Sequence, residues 1–255
     1  MRVKVICGVR DARRSFRGMR RRGLTVGLVP TMGALHAGHM SLVGRARSEN
    51  DRVVVSIFVN PTQYDDATDL KHYPRPFEED LAKCEDAGTD IVLWPDYQEI
   101  YPDDYRFRVT ESSCSKELEG AFRTGHFDGV MTVVLKLLEI VRPDRAYFGE
   151  KDWQQLVLIR DMVEAFFLDT EIVACPLVRE EDGLAMSSRN VNLTPEDRLI
   201  APRLFQILRS EGHVNEMRKL LEDEGFEVDY VERRDGRVLG AVRLGKVRLI
   251  DNVEE

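Results

Sequence analysis

Short apolar runs alternate with helical patterns through the first two thirds of the chain. The apolar runs are continuous, and most are followed by a segment whose apolar residues recur at helical spacing. This pattern predicts strands at 24–30, 52–59, 90–95, 145–149 and 171–175, and helices at 38–48, 76–88, 129–141 and 152–167. Continuous apolar strands separated by helices are typical of a parallel sheet that is covered on both faces. We therefore expect an α/β fold with a Rossmann-like, doubly wound parallel sheet.

The pattern changes after Pro176. A polar loop, "REEDGLAMSSRN", follows there and is itself followed by helical patterns near 195–208 and 213–224 and by β-like runs at 226–234 and 246–251. This mixture predicts a small C-terminal α+β domain that carries the loop. The adjacent hydroxyls of the loop and the arginine after them suit a lid that closes over a triphosphate. We accordingly expect two domains, at 1–176 and 177–255.

The composition narrows the class of protein. The chain has 255 residues, of which 43% are hydrophobic and 32% are charged, and its net charge is −8. An acidic chain argues against nucleic acid as the main partner, and no apolar run approaches the roughly 20 residues that cross a bilayer. The four cysteines are scattered without a metal-binding or redox spacing, so we expect reduced thiols in the cytoplasm. The arginine-rich segment 10–22 has helical spacing and is interpreted as an amphipathic surface helix rather than an RNA-binding segment.

The stretch "VPTMGALHAGH" (29–39) joins the strand predicted at 24–30 to the helix that follows it. Gly33 and Gly38 have the separation found in a phosphate-binding P-loop, but His39 stands where that motif has lysine. A glycine turn lets the backbone approach a ligand closely, and a helix N-terminus presents its N–H groups to an anion. His36 and His39 are three residues apart, so on a helix both imidazoles can reach one phosphate. The stretch therefore predicts a phosphate-binding site.

Further polar residues lie near the ends of predicted elements or in the loop at the domain junction. The candidates for ligand binding are Asn60, Gln63, Arg123, His126, Lys151, Asp152, Ser187, Ser188 and Arg189. In parallel sheets, ligands bind outside the carboxyl ends of the strands, and cations and hydroxyls suit phosphate oxygens. The dinucleotide fingerprint G-x-G-x-x-G is missing, which argues against redox chemistry with such a cofactor. These residues predict a site that acts on the phosphates of a nucleotide.

Six segments, in this order and spacing, resemble the pantoate–β-alanine ligase (pantothenate synthetase) family. They are "VPTMGALHAGHMSLV", "SIFVNPTQY", "YPRPFEED", "LEGAFRTGHFDGV", "FGEKDWQQLVLIRDMV" and "DGLAMSSRN". The first is similar to the HIGH-type signature of the nucleotidyltransferases that include class I aminoacyl-tRNA synthetases, and "MSSRN" resembles their KMSKS-type loop. The resemblance runs from about Val26 to Leu193 and resumes at "VRLIDN" near the end of the chain.

The resemblance implies an ATP-dependent ligase that works in two steps. Pantoate's carboxylate attacks the α-phosphorus of ATP, which gives pantoyl adenylate and pyrophosphate. The amine of β-alanine then attacks the acyl carbon and releases AMP, with pantothenate as the product. The resemblance also implies that Mg²⁺ accompanies the nucleotide and that the enzyme is a homodimer.

By matched position, the resemblance implies catalytic roles for His36, His39, Lys151 and Arg189. It places ATP on Met32, Gly33, Ala34, Leu35, His36, Ala37, Gly38, His39, Gly149, Glu150, Lys151, Asp152, Val178, Met186, Ser187, Ser188 and Arg189. It places pantoate on Gln63, Gln155, Asn60 and Arg123, β-alanine on Gln63, and Mg²⁺ near Glu79 and Asp80. Lys83 is a departure, because some relatives have a glutamine near the metal at that position.

Three other interpretations stay open at this point. The first is a small adenylate-forming enzyme like an aminoacyl-tRNA synthetase, against which the short, acidic chain without an anticodon-binding appendage argues. The second is another HIGH-type nucleotidyltransferase, which keeps AMP on its product. The third is a nucleotide-sensing module without catalytic activity.

Overall fold

The computed structural model describes residues 3–255 of the chain and divides into two compact units. The first unit contains the described residues up to Gly149 together with Gln154–Cys175, and the second contains Glu150–Trp153 and Pro176–Glu255. The short segment Glu150–Trp153 thus groups with the C-terminal residues, although it lies between β-strands of the first unit in sequence. The domain boundary after residue 176 remains a prediction from the sequence.

The first unit is built on a six-stranded sheet in which every pair of neighbouring strands is parallel. Its helices and strands are β1 Lys4–Ile6, α1 Val9–Arg21, β2 Val26–Thr31, α2 Ala37–Glu49, β3 Arg52–Ile57, α3 Ala67–His72, α4 Phe77–Asp86, β4 Ile91–Leu93, α5 Tyr97–Ile100, α6 Glu119–Phe122, α7 His126–Val141, β5 Arg145–Gly149, α8 Trp153–Ala165 and β6 Glu171–Cys175. The strand order is β1-β4-β3-β2-β5-β6. The chain thus leaves β2 toward β3 on one side and returns to β5 on the other, and ligands bind at such a switch point.

Both faces of this sheet are covered. Val29 and Val55, on neighbouring strands, lie in one buried cluster with Val43 of α2. Leu28 and Val54 precede those strand residues by one position and are also fully buried, and they point to the opposite face because strand side chains alternate. There, α7 contacts β2 and α1 packs against α7. The predicted α/β doubly wound sheet is confirmed.

In the N-terminal segment, the sequence pattern predicts one of the two elements. The amphipathic helix predicted at 10–22 is confirmed as α1, whose buried side is formed by Ala12, Phe16 and Met19. The strand β1 was not predicted. It lies at the edge of the sheet, and only Ile6 of its three residues is buried, so it lacks the continuous apolar run by which the other strands are recognised.

The second unit is a three-stranded antiparallel sheet with three helices of six to ten residues. Its elements are α9 Pro195–Ile200, α10 Arg203–Leu208, α11 Val214–Asp223, β7 Glu227–Arg234, β8 Arg237–Leu244 and β9 Val247–Glu254. The single helix predicted at 195–208 is wrong, because Pro202 lacks the N–H group that would continue it. The strand β8 was not predicted. It is central and buried except for Arg243, so it shows no alternation of apolar and polar residues.

The hairpin between β7 and β8 turns at Asp235 and Gly236, both of which have positive φ (55° and 71°). This geometry fits the two-residue turn that asparagine or aspartate followed by glycine favours. The small C-terminal α+β fold is confirmed by this sheet and its helices. Among residues 3–255, no helix is long and apolar enough to span a membrane.

Candidate active site

The loop that follows β2 is held in a conformation that only a few residues tolerate. Gly33 has φ of +81°, and the next residue, Ala34, is also left-handed at +51°. A Cβ atom at Gly33 would lie 2.9 Å from Asp80 Oδ2 and 3.1 Å from a methyl group of Ile57. The Gly33 N–H donates to Thr31 Oγ1 at 3.1 Å. Glycine is therefore required at this turn both by φ and by the space available.

Two side chains of opposite charge on helix α4 fix the loop by hydrogen bonds to its backbone. The carboxylate of Asp80 accepts from the backbone N–H groups of Ala34 and Leu35, each at 2.7 Å. The ammonium group of Lys83 donates to the carbonyl oxygen of Leu35 at 2.7 Å. Asp80 is 1% exposed, and this burial raises its pKa while the two N–H groups and Lys83 oppose the shift. The i, i+3 pair thus determines the path of the loop.

This geometry bears on the predicted metal ligands Glu79 and Asp80. Both oxygens of Asp80 are engaged by the loop, and Glu79 is exposed. Within residues 3–255, no group of three or more His, Cys, Asp and Glu side chains is arranged to hold a metal ion. The structure therefore gives Asp80 a role in shaping the loop, and the metal assignment remains a prediction.

The two histidines of the loop form the start of α2. His36 is the N-cap residue with extended backbone, and a capping box joins its backbone N–H to His39 Nδ1 at 3.3 Å. The two ring centroids are 4.1 Å apart, and both side chains are partly exposed. Ala37 and Gly38 lie between them in the first turn, where backbone N–H groups have no acceptor within the helix. The imidazoles and the helix N-terminus are thus placed together, as a binding site for an anion requires.

Asn60 and Gln63 follow β3 around a single 3₁₀ turn, Pro61–Gln63. Asn60 is 1% exposed. Its Nδ2 donates to Gln63 Oε1 at 3.0 Å, and its Oδ1 accepts from the Tyr101 hydroxyl at 2.8 Å. The Gln63 amide nitrogen reaches the sulfur of Met32 at 3.3 Å. Gln63 is therefore the partly exposed member of the pair, and Asn60 orients it from the interior.

Helix α7 approaches the same turn at a glycine. A Cβ atom at Gly129 would lie 2.4 Å from the carbonyl oxygen of Thr62 and 2.6 Å from the backbone nitrogen of Gln63. The Gly129 carbonyl oxygen also accepts from Asn60 Nδ2 at 3.2 Å. A Cβ atom this close to backbone atoms would clash with them, so the position has no room for any side chain. The glycine of the "FDGV" segment is therefore needed so that α7 can pack against the turn that carries Gln63.

Arg123 and His126 lie at the start of α7 and are joined to Gln63. His126 Nδ1 lies 2.8 Å from the carbonyl oxygen of Gln63, and its Nε2 lies 3.1 Å from Arg123 Nη1. A carbonyl can only accept and a guanidinium can only donate, so the ring carries its proton on Nδ1 and is neutral. Arg123 also lies 3.4 Å from the carboxylate of Asp65 and 3.8 Å from that of Glu119. The arginine is thus partly neutralised within the protein.

The predicted pantoate residue Gln155 is half-buried on α8. Its neighbour Gln154 is 6% exposed and holds the segment before α6, since it donates to the carbonyl oxygens of Cys114 (2.7 Å) and Glu117 (2.8 Å). Gly149, at the carboxyl end of β5, faces open space in the direction of a Cβ atom. Gln154 therefore supports structure, and Gln155 stays a candidate for binding.

A cavity of about 390 Å³ lies beside the loop after β2, with Met32 and Asp80 in its wall. Elsewhere its wall contains Phe77 stacked on Trp94, with ring centroids 3.7 Å apart. None of the four residues predicted to bind pantoate lines it. The cavity therefore does not identify the pantoate site.

In the second unit, the segment Glu150–Trp153 is bound by the sheet. Arg237 donates to a carboxylate oxygen of Glu150 at 3.1 Å and lies over the ring of Trp153 at 4.2 Å. Asn252 donates to the carbonyl oxygens of Glu150 and Lys151 at 2.9 and 3.1 Å. The Lys151 side chain is 19% exposed, and its ammonium group lies 4.0 Å from a carboxylate oxygen of Asp152. The backbone of Lys151 is thus fixed, and its side chain remains accessible.

The loop carrying the serines is closed into a narrow hairpin. Met186 N–H donates to the carbonyl oxygen of Val178 at 3.1 Å, and Arg179 and Ala185 form an antiparallel bridge. Ser187 Oγ accepts from the backbone N–H of Arg189 at 3.3 Å. Ser187, Ser188 and Arg189 directly follow this hairpin as consecutive, partly exposed polar residues.

Two arginines form ion pairs that hold the loop 178–190. Arg198 donates to a carboxylate oxygen of Glu180 at 2.6 Å and to one of Asp182 at 2.5 Å. Arg179 forms a two-pronged pair with Asp251 at 2.6 and 3.0 Å. Asp251 is 4% exposed, whereas the side chains of Arg198, Glu180 and Asp182 are about one third exposed. One anchor of the loop is thus interior and the other is at the surface.

Sequence reasoning missed the residues that support these segments. Arg179, Arg237, Asp251 and Asn252 were given no role, although "VRLIDN" was recognised as part of the family pattern. Lys151 and Asn252 are about one hundred positions apart, so no local spacing joins them. The only available signal was that the resemblance resumes in this strand after a stretch without it.

The chain was compared with known proteins. A family model described as Pantoate-beta-alanine ligase matches residues 4–254. A protein named pantothenate synthetase from Bdellovibrio bacteriovorus is 54% identical over 235 residues, which cover 92% of this chain and 94% of that protein. A crystal structure of pantoate-beta-alanine ligase from Francisella tularensis, complexed with beta-gamma ATP and beta-alanine, is 40% identical with a TM-score of 0.94, covering 99% of this chain and 97% of that one. One of pantothenate synthetase from Thermus thermophilus is 41% identical with a TM-score of 0.88, covering 99% of each.

Proposed function

The chain belongs to the pantoate-beta-alanine ligase family, and we propose that it joins pantoate to β-alanine in two steps driven by ATP. The first step forms pantoyl adenylate and releases pyrophosphate, and the second forms pantothenate and releases AMP. The observation that carries the proposal is the family match over nearly the whole chain, together with the paired histidines at the N-terminus of α2.

In the first step, an anion attacks a polyanion, so positioning and charge neutralisation are the main requirements. The loop from Met32 to His39 supports ATP binding, because its backbone is fixed by Asp80 and its end is a helix N-terminus. We assign to His39, with His36 beside it, the stabilisation of the negative charge that develops on the departing pyrophosphate. The 4.1 Å spacing of the rings supports joint action on one phosphate group.

The second unit supplies the groups that suit a triphosphate. We propose that Lys151 and Arg189 contribute positive charge to ATP and that Ser187 and Ser188 donate hydrogen bonds to its phosphate oxygens. Gly149 and Glu150 to Asp152, with Val178 and Met186, complete the predicted nucleotide contacts. The carboxylate of Glu150 is engaged by Arg237, so Glu150 contributes through its backbone.

Pantoate is assigned to Gln63 and Gln155, whose amides can bind its carboxylate and hydroxyl groups. Asn60 is too deeply buried to contact a substrate, so we propose that it acts by orienting Gln63. Arg123 fixes the neutral His126 behind the same turn. Gln63 is also assigned to β-alanine, whose ammonium group must lose a proton before it attacks the acyl carbon.

Magnesium is proposed as a companion of the nucleotide. Mg²⁺ usually keeps several waters and binds through substrate phosphates with one or two carboxylates. Since both oxygens of Asp80 already accept N–H groups, we expect phosphate oxygens and water to supply the ligands. The homodimer and the cytoplasmic location stay predictions, and light scattering of the purified protein tests the first.

The test of the function is exchange of labelled pyrophosphate into ATP, with pantoate present and β-alanine omitted. We expect exchange with pantoate and none with amino acids, followed by AMP release when β-alanine is added. Exchange driven by an amino acid but not by pantoate would indicate a synthetase-like enzyme, and AMP retained on the product would indicate a nucleotidyltransferase.

His39→Ala separates an enzyme from a nucleotide-sensing module. We expect it to lower the exchange rate by on the order of 100-fold or more, since charge stabilisation in the transition state is lost. The matched control is His213→Ala, because His213 also lies in a capping box but at the start of α11. Unchanged turnover in His39→Ala would contradict the proposed role.

A further inference from the structure

Asn252 lies in the last strand of the chain and is directed at the segment that carries Lys151. Its Nδ2 donates to the carbonyl oxygens of Glu150 and Lys151, and its Oδ1 accepts from Arg237 Nη1 at 2.7 Å. The residue is 2% exposed. A buried amide with three partners has one favourable orientation. It therefore fixes the backbone from which the Lys151 side chain projects.

The preceding residue, Asp251, is directed at the loop 178–190. Its two oxygens accept from the two terminal nitrogens of Arg179. Arg179 also donates to the carbonyl oxygen of Gly183 at 3.1 Å and lies 3.7 Å over the ring of Phe205. Arg179 also donates to the backbone carbonyl oxygen of Asn252 at 3.1 Å, in the same strand as Asp251. The loop is thus attached through one arginine to β9.

We propose that Asp251 and Asn252 are positioning residues that attach the Lys151 segment and the 178–190 loop to one rigid strand for adenylate formation. Successive side chains of a strand point to opposite faces, so two adjacent residues can hold two separate segments. β9 is paired with β8 along its whole length, with Asp251 opposite Gly240 and Asn252 opposite Leu239. A site supported by a paired strand is held more accurately than one on loops alone. This proposal rests on the proposed function.

The alternative is that the two residues serve only the stability of the fold. The test variant is Asn252→Ala, which removes the three side-chain bonds and leaves the strand backbone intact. We expect pantoate-dependent pyrophosphate exchange to fall by on the order of 100-fold, because a displacement of about 1 Å at a reacting group has an effect of that size. The dissociation constant for pantoate should change by less than about twofold.

The matched control is Asn50→Ala. Asn50 is 7% exposed and donates to Tyr147 Oη at 2.7 Å and to the carbonyl oxygen of Ala46, so its loss also removes buried amide bonds. It has no contact with Lys151 or the 178–190 loop among its hydrogen bonds in the described structure. We expect Asn50→Ala to lower the unfolding temperature while leaving the exchange rate within about twofold. Equal losses of exchange in both variants would assign Asn252 to stability alone and overturn the proposal.

A double mutant decides whether Asn252 acts through Lys151. If it does, adding Asn252→Ala to Lys151→Ala should have little further effect on exchange. If the two changes multiply, Asn252 acts independently of Lys151 and the proposal is wrong.

A readout without catalysis separates this proposal from the proposed function. Amide hydrogen exchange should rise in the peptide that spans residues 150–153 when Asn252 is changed to Ala, and in residues 178–190 when Asp251 is changed to Asn. These increases would support the attachment even if pantoate drove no exchange in the unmodified protein, which would refute the function instead. Unchanged protection in both segments would overturn the attachment.

Discussion

The loop that follows β2 and the loop at 178–190 are each anchored by a buried aspartate, but the aspartates use different donors. Asp80 accepts from two backbone N–H groups of the loop itself. Asp251 accepts from the guanidinium of Arg179, which extends from the loop on a long side chain. Both aspartates are nearly inaccessible, at 1% and 4% exposure.

The difference determines how much of each loop is fixed. Bonds to backbone N–H groups set the main-chain path directly, and Lys83 adds a bond to the carbonyl oxygen of Leu35. The guanidinium of Arg179 instead holds the second loop through a side chain, with one bond to the carbonyl oxygen of Gly183. Arg198, which is about one third exposed, adds ion pairs at the surface of this loop. The first loop is therefore held mainly at its main chain, and the second is held to the rest of its unit mainly through side chains.

The largest effect is expected from Asp80→Asn. An amide keeps one acceptor, but its nitrogen would face a backbone N–H group of the loop, so one buried donor would lose its partner. The stability loss should be about 3 kcal/mol, and the exchange rate should fall by on the order of 100-fold. Thermal unfolding and pyrophosphate exchange measure the two quantities.

The comparison for this variant is Asp251→Asn, which leaves Arg179 without its ionised partner. We expect a similar loss of stability but a smaller loss of exchange at saturating ATP, because the main-chain hydrogen bonds within the second loop do not involve Asp251. Equal losses of exchange in the two variants would contradict the distinction between the loops.

The next largest effect concerns the turn at Pro61–Gln63, which is also set by backbone contact. In Gly129→Ala, the new Cβ atom would meet the backbone of Thr62 and Gln63 at 2.4 to 2.6 Å, so the turn must move. We expect the KM for pantoate to rise by about tenfold or more, since Gln63 moves with the turn. Steady-state kinetics measure it, and Gly44→Ala is the control, because a Cβ atom at Gly44 meets nothing within 4 Å. An unchanged KM would remove Gln63 from the pantoate site.

A matched pair of glycines compares the loops themselves. Gly33→Ala places a Cβ atom against Asp80, which is held by its bonds to the loop, whereas Gly183→Ala meets the partly exposed ring of Phe205 at 2.6 Å. Both positions have positive φ, at a cost of about 1 to 2 kcal/mol for alanine. We expect Gly33→Ala to lower kcat more than tenfold and Gly183→Ala chiefly to raise the KM for ATP. Initial-rate kinetics distinguish these results, and a larger loss of kcat in Gly183→Ala would reverse the comparison.

The sequence predicted the parts of the site that are continuous in the chain. Gly33, His36 and His39 lie within seven residues, and their pattern of strand, glycine turn and helix was sufficient to predict an anion site. Asp80 was singled out from the family resemblance for a role at the metal, which stays a prediction, and its bonds to the loop were not foreseen. The reason is physical: a carboxylate's partners depend on tertiary contacts, and the N–H groups it binds lie about 45 positions earlier.

The same limit explains the second unit. Pro202 breaks a helix that the periodicity predicts as continuous, and β8 is buried on both faces, so its sequence lacks alternation. Asn252 has no chemical signature of its own, because an amide that holds two carbonyl groups has the same sequence appearance as any surface asparagine. Supporting residues of this kind become visible only when the strands are paired.

The smallest effect is expected at the surface anchor of the second loop. Arg198→Ala removes the ion pairs with Glu180 and Asp182, which lie at the surface and whose loss should reduce stability by at most about 1 kcal/mol. Arg198 holds the pKa of Asp182 below its usual value through a hydrogen bond, so the pair is formed at neutral pH. The freed loop should raise the KM for ATP a few-fold at low ionic strength.

Measurement at high salt concentration is the control for the Arg198→Ala prediction. In about 1 M salt, surface charges interact only over roughly 3 Å, so the difference between Arg198→Ala and the unmodified protein should shrink. Arg203→Ala removes a comparable exposed pair, with Glu224, at the start of α10 and should leave the KM for ATP unchanged at either salt concentration. If Arg198→Ala behaves like Arg203→Ala, the ion pairs of Arg198 do not hold the second loop, and its interior anchor is sufficient for ATP binding.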